Sequence, residues 1–211
     1  MDEASGLTAT DSSGSGNHGT LTDMVGNEWA TGILNGALQF DGIRDYVEVP
    51  DSPSLDITEA ITLAAWVKPE STGAARWLIA KEAWGADQAY GLNLSNGGQV
   101  EFGIATGTAW IFKPAHEEIT QTISDGTWSH VVGQYSPPYI KIFINGRLSQ
   151  QWDIGSHSIN TNDNNLLIGT MTKADQRYKG FADEIRIYNR ALTQDEIAWL
   201  AGVTEPFDKP F

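Results

Sequence analysis

The dipeptide Asn145-Gly146 joins YIKIFI to RLSQQWDI, and this junction constrains the fold more than any other stretch of the chain. A two-residue type I′ turn needs positive φ at both central positions, so Asn-Gly between two strand-like runs reads as an antiparallel hairpin. The pattern recurs. AYGLNLS and QVEFGIA flank Asn96-Gly97-Gly98 and alternate cleanly, with Tyr90, Leu92, Leu94, Val100, Phe102 and Ile104 on one face. The other face of that hairpin carries Gly91, Asn93, Gln99, Glu101 and Gly103, polar or small residues expected to leave an open surface.

Further strands follow the same logic. ITLAAWVKP, from Ile61 to Pro69, is apolar enough to cross a core with both faces covered. ALQF, RDYVEV, ARWLIAK, TWSHVVGQY, LLIG and FADEIRIYN supply the remainder, and residues 1–36 read as loop because apolar residues there lack a period. One helix is expected near the C-terminus: Thr193 and Glu196 form a capping box, Ile197 and Leu200 an apolar stripe, and Gly202 the stop. The expected fold is all-β, a two-sheet antiparallel jelly-roll sandwich with one short C-terminal helix. It spans residues 1–203, and residues 204–211 form a linker or tail.

Composition narrows the chemistry. The 211 residues include 22 Gly and 8 Trp, with 40% hydrophobic residues, enough for one all-β domain with a real core. A net charge of −14 disfavours nucleic acid and anionic membrane surfaces as partners, while neutral polymers and divalent cations stay open. The absence of Cys excludes disulfides and thiolate metal sites, so calcium fits better than zinc. No apolar run reaches the roughly 18–20 residues of a membrane span. No basic leader opens the chain, which is expected to be a mature protein or an excised module.

Three segments in order, ALQFDGIRDYVEVPDSPSLD, then WSHVVGQY leading to IFINGRL, then GFADEIRIYNRALTQDEI, resemble the laminin-G-like, or concanavalin A-like lectin/glucanase, jelly-roll domains. The likeness is to the bacterial group appended to secreted polysaccharide-degrading enzymes and surface proteins. The resemblance implies that a segment such as DSSGSGNHGTL (Asp11 to Leu21) follows an apolar first strand and wraps a calcium ion near the final strand. Here that first strand is reduced to MDEASG, so the chain is expected to start inside the family's usual boundary.

Calcium takes six to eight oxygens, and glycines let backbone carbonyls turn inward. The loop offers Asp11, Asn17 and Asp23, and the resemblance places Asp183 beside it. The expected ligands of a structural calcium are therefore Asp11, Asn17, the Gly19 carbonyl and Asp183, with Asp41 as a rival. The alternative is that Asp11 and Asn17 merely close Asx-turns.

Catalysis is not expected. No strand carries the Glu-x-Asp-x-x-Glu spacing of a retaining glucanase of this fold, and neither a Ser/His/Asp nor a metallohydrolase set is present. Sugar binding is better supplied. Trp84 and Trp110 stand in Gly-rich surroundings near strand ends, where rings can stack on pyranose faces. Asn93 and Glu101 lie on the open hairpin face, strand parity extends that face to His130 and Gln134, and Lys81 and Arg177 flank it. Trp66, Trp128 and Trp199 are expected in the core, with Trp29, Trp77 and Trp152 unassigned. His130 also has a plain structural reading, as a hydrogen-bonded buried side chain.

These residues point to a non-catalytic carbohydrate-binding module, secreted or on the cell surface. It would target an attached catalytic or surface domain to polysaccharide or another glycan. The alternative is a protein-interaction or adhesion domain.

Overall fold

The computed structural model describes residues 3–71, 73, 75–82, 87–107, 109–114, 121–171 and 176–203. Strands are numbered in chain order. One sheet has eight strands in the spatial order β1 (Thr8–Ala9), β2 (Gly19–Thr22), β5 (Tyr46–Val49), β14 (Leu166–Ile168), β7 (Arg76–Glu82), β8 (Gln88–Leu94), β9 (Val100–Thr106) and β10 (Ala109–Lys113). The other has seven: β13 (Arg147–Asp153), β12 (Tyr139–Ile144), β11 (Ser129–Ser136), β6 (Ile61–Pro69), β15 (Lys179–Tyr188), β4 (Gly36–Asp41) and β3 (Trp29–Thr31). Every ladder between them is antiparallel. The sequence of crossovers gives the expected jelly-roll sandwich.

The main core lies between the sheets. Tyr90, Leu92, Phe102 and Ile104 from the eight-stranded sheet meet Leu63, Val67, Val131 and Tyr135 from the seven-stranded one, all essentially inaccessible to solvent. At Gly133 the sheets come so close that any Cβ would collide with the Phe102 ring. The Asn145-Gly146 turn adopts φ of 50° and 77°, as the dipeptide requires.

A second cluster covers the outer face of the seven-stranded sheet. The helix α1 (Gln194–Leu200) docks Ile197 with Leu192 onto Ala64, Val132 and Phe143. The capping box is present in full: Thr193 accepts from the Glu196 amide, and the Glu196 carboxylate accepts from the Thr193 amide. Strand β6 is thus covered on both faces, by the core on one side and by the helix region on the other.

Two expectations change. Residues 1–36 are not all loop, because β1, β2 and β3 lie within them. Each has only two to four residues, too few to establish an alternating pattern in sequence. Trp199 is not core: it is 71% exposed, because α1 is seated by Ile197 and Ala198 and turns Trp199 outward. Residues 204–211, read as a tail, lie outside the described residues.

Candidate functional site

The outer face of the eight-stranded sheet, opposite the core, carries a third cluster of Trp77, Ala80 and Met171, with Trp110 and Phe112 packed against it. Register places these side chains. Ala80 pairs with Gly91, Gly91 with Gly103 and Gly103 with Phe112, and one step along β10 Trp110 pairs with Ala105. The two glycines are floor positions. A Cβ on Gly91 would strike Trp77, and one on Gly103 would strike Phe112 and come within 2.7 Å of Trp110. The rings therefore lie down across bare backbone instead of standing away from it. They form a run: Trp77 to Phe112 is 5.9 Å between centroids at 40°, and Phe112 to Trp110 is 5.9 Å at 25°.

Beside the run lies a polar row. Glu101 pairs with Asn93, Asn93 with Trp77, and Trp77 forms an isolated parallel bridge with Arg177. Asn93 is 3% and Glu101 1% exposed, so the hairpin face expected to be open is covered. The Asn93 Oδ1 has no hydrogen-bond partner, a cost of about 1–3 kcal/mol for a buried acceptor. Two donors of this row, Trp77 and Arg177, are engaged elsewhere. Trp77 Nε1 donates to Gln176 Oε1 at 2.6 Å. Arg177 donates to the Arg44 carbonyl and places its guanidinium 5.2 Å from the Tyr46 ring centroid.

Of the expected sugar-contacting residues, the structure brings Asn93, Glu101, Trp110 and Arg177 to this one face. Trp84 lies outside the described residues. Lys81 does not join the face: it pairs with core-facing Tyr90, and its ammonium is held by Asp51 at 2.6 Å and by the Asn162 and Asn164 carbonyls at 3.0 Å each. His130 and Gln134 do not join it either, because β11 belongs to the other sheet. Gln134 donates to the Leu192 carbonyl. His130 pairs with Trp66, lies tilted 5.4 Å from its ring and is 2% exposed, and burial beside Arg186 holds its pKa down at about 4. Its Nδ1 is unpartnered, so the hydrogen-bonded reading of this nitrogen does not apply.

Sequence reasoning left Trp77 unassigned and passed over Phe112. The available signal was the spacing Trp110-x-Phe112 opposite Gly103-x-Ala105, aromatic over small across one ladder.

The residues expected to hold calcium do not assemble into one cage. The Asp11 carboxylate accepts from the Ser13 amide at 2.8 Å, the Ser13 hydroxyl at 2.9 Å and the Asn17 amide at 2.9 Å, the Asx-turn alternative. The Asn17 side chain exchanges hydrogen bonds with Ser54. Gly19 sits in β2 with no room for a side chain against Val47. Asp183 lies in the seven-stranded sheet, fully buried, with its carboxylate accepting from the Ile33, Leu34 and Glu184 amides at 2.9, 3.0 and 2.7 Å. The rival Asp41 caps its own turn through the Ile43, Arg44 and Asp45 amides. Among the described residues no three carboxylate or imidazole groups converge as a metal site.

Comparison with known proteins follows the fold. The chain is similar to domain 4 of AbnA, a GH43 extracellular arabinanase from Geobacillus stearothermophilus solved with arabinotriose, with a TM-score of 0.70 and 23% identity over 94% of this chain and 100% of that one. It is also similar to the binding domain of Paraclostridial mosquitocidal protein 1, with a TM-score of 0.69 and 16% identity over 91% of this chain and 48% of that one. The binding domain of botulinum neurotoxin serotype G gives 0.65 and 16%, over 92% and 48%, so the chain spans about half of each toxin binding domain. No curated protein sequence matches the chain. A sequence profile described as the concanavalin A-like lectin/glucanases superfamily matches residues 41–198, and the chain belongs to this family, Laminin_G_3.

Proposed function

We propose that this domain is a non-catalytic glycan-binding module of a larger extracellular protein, and that it binds on the Trp77–Phe112–Trp110 face of the eight-stranded sheet. The observation that carries the reading is the aromatic run laid over Gly91 and Gly103. Flat rings complement the C–H faces of sugars. The arabinanase domain, solved with an arabinose trisaccharide, supports this reading by analogy of fold.

Glycoside hydrolysis needs two carboxyl groups about 5–9.5 Å apart across the bond to be cut. Among the described outward-facing positions of β7 to β10, Glu101 is the single carboxylate. A module of this kind raises the local concentration of an attached catalytic or surface domain on polysaccharide, which tolerates weak affinity per site. Secretion or display at the cell surface follows from that role. No helix among the described residues is long and apolar enough to cross a membrane.

Affinity electrophoresis on arabinan, xylan and mixed-linkage β-glucan tests the reading. At least one polymer should retard the protein, and Trp110→Ala should weaken that retardation about tenfold, or about 1.4 kcal/mol. Retardation unchanged in Trp110→Ala would remove the face from consideration. A second reading, protein adhesion, is favoured by one observation: Trp199 is 71% and Leu148 46% exposed, on α1 and on β13 against which it packs. Trp199→Ala should leave glycan binding unchanged if the first reading holds.

A further inference from the structure

The chain contains three Asn-Gly dipeptides, Asn35-Gly36, Asn96-Gly97 and Asn145-Gly146. In each, the amide nitrogen after the asparagine belongs to glycine, which brings no Cβ to obstruct it. The dipeptides therefore have the same intrinsic chemistry, and the fold separates them. We infer that Asn96 is a site of spontaneous covalent modification, closing to a succinimide and opening to isoaspartate, and that the fold protects Asn35 and Asn145 from the same reaction.

The reaction balances with water as its only reagent. The Gly97 nitrogen bonds to the Asn96 Cγ, the bond from Cγ to the side-chain nitrogen breaks, and ammonia leaves with the Gly97 proton. Water then opens the ring at either carbonyl. One opening gives aspartate, and the other gives isoaspartate, with the main chain rerouted through Cβ and Cγ. Nothing is oxidised or reduced. Ring closure needs the nitrogen to come within about 3–3.5 Å of Cγ, which requires a free amide, a free side chain and a turn that can open.

Asn96 meets these requirements. It and Gly97 are exposed at the tip of the β8–β9 hairpin. Among the described residues, neither the Asn96 side chain nor the Gly97 amide has a hydrogen-bond partner. The turn is closed around them instead, by the Ser95 amide on the Gln99 carbonyl at 2.8 Å and the Gly98 amide on the Ser95 carbonyl at 3.1 Å. Its left-handed positions are Gly97 and Gly98, with φ of 84° and 80°. Such an exposed, glycine-rich tip lies at the low end of local stability.

The other two dipeptides are held. The Asn145 Oδ1 accepts from the His130 amide at 2.9 Å, and the Asn145 amide donates to the His130 carbonyl at 2.8 Å. Gly146 is buried against Ala198, Ala201 and Val203. Asn35, at φ 57°, accepts from the Gly32 amide at 3.0 Å, and the Asp183 carboxylate accepts from the Ile33 and Leu34 amides of the same turn. Gly36 already stands in β4 opposite Thr31. Isoaspartate at position 96 lengthens the main chain and adds a negative charge in the turn that sets the β8–β9 register. The Ile123 amide on the Gly98 carbonyl and the Gln99–Thr122 bridge are the nearest contacts it disturbs.

The test is to age the full chain in mildly alkaline buffer made with heavy-oxygen water, and to follow the peptides around each dipeptide by mass and by chromatographic separation of isoaspartate. In the folded protein, the Asn96 peptide should take up one heavy oxygen and yield isoaspartate at least several-fold faster than the Asn35 and Asn145 peptides. In concentrated urea the rates at the three sites should converge. Asn96→Gln, whose longer side chain must close a larger ring, should abolish the fast conversion. Conversion of Asn35 or Asn145 as fast as Asn96 in the folded protein overturns the proposal. So does the same ranking in urea, or an Asn96 that stays intact in the fold while the unfolded chain converts.

Discussion

Two buried titratable side chains pull the acid stability of this domain in opposite directions. Asp45 is 7% exposed, and burial together with the nearby carboxylates of Asp41 and Glu28 raises its pKa to about 6. A carboxyl raised above its unfolded value favours the fold when protonated, so its contribution is full below about pH 4 and is lost as pH rises through about 6. His130 does the reverse. Burial and Arg186 lower its pKa to about 4, so the neutral ring favours the fold, and stability falls as pH drops from about 6.5 toward 4 while the unfolded chain takes up protons. The two effects overlap in one window, and wild-type stability between pH 4 and pH 6.5 should be nearly flat with respect to this pair. Single variants unmask each member. Asp45→Asn should add about 1–3 kcal/mol at pH 8 and nothing at pH 4, and His130→Phe should flatten the acid limb. Urea denaturation at several pH values reads both, and identical pH profiles for wild type and Asp45→Asn would refute the assignment.

At the level of the element, the aromatic face depends on a floor without side chains. Gly103→Ala would drive a methyl group into Phe112 and against Trp110, so both rings must lift, while the core side of β9 is untouched. We expect a stability loss of about 1–3 kcal/mol, a shifted tryptophan emission and weakened glycan binding, measured together by thermal melts, fluorescence and affinity electrophoresis. A variant with wild-type emission would mean that the rings do not rest on that glycine. The hairpins and the capped helix were legible in sequence because their signals are local: Asn145-Gly146 sets its own turn, and Thr193 with Glu196 its own cap. The aromatic face was only half legible. Register shifts between Trp77 and Ile79 and between Lys81 and Glu82 break the alternation of β7, which hid Trp77 and misplaced Lys81. Parity assigned His130 and Gln134 correctly to an outward face, but parity distinguishes in from out and not one sheet from the other. A bulge at Glu184, where φ is 49°, likewise resets β15 and turns Asp183 toward the β3–β4 turn.

Across the whole molecule, the two outer faces have different fates. Helix α1 seals the seven-stranded sheet with an apolar contact, whereas the eight-stranded sheet keeps an aromatic face with a polar row beside it. Distant segments are tied together by side chains. Lys81 supplies a buried positive charge to oxygens from Asp51, Asn162 and Asn164, and the N-terminal loop is held by β1–β2 pairing and by Asn17 on Ser54. A chelator should therefore leave the melting temperature unchanged, whereas Lys81→Met should lower stability by about 3 kcal/mol, because it strands buried oxygens and their partner carboxylate. Ligand should act in the opposite sense. A neutral glycan at about 100 times its dissociation constant stabilises the folded state by about 2.7 kcal/mol, which for a domain of this size raises the melting temperature by roughly 5–10 °C. One calorimetric series on the same protein with chelator, with glycan and with both separates the contributions. A melting temperature that falls with chelator and recovers with calcium would show that an ion, and not Lys81, ties the segments together.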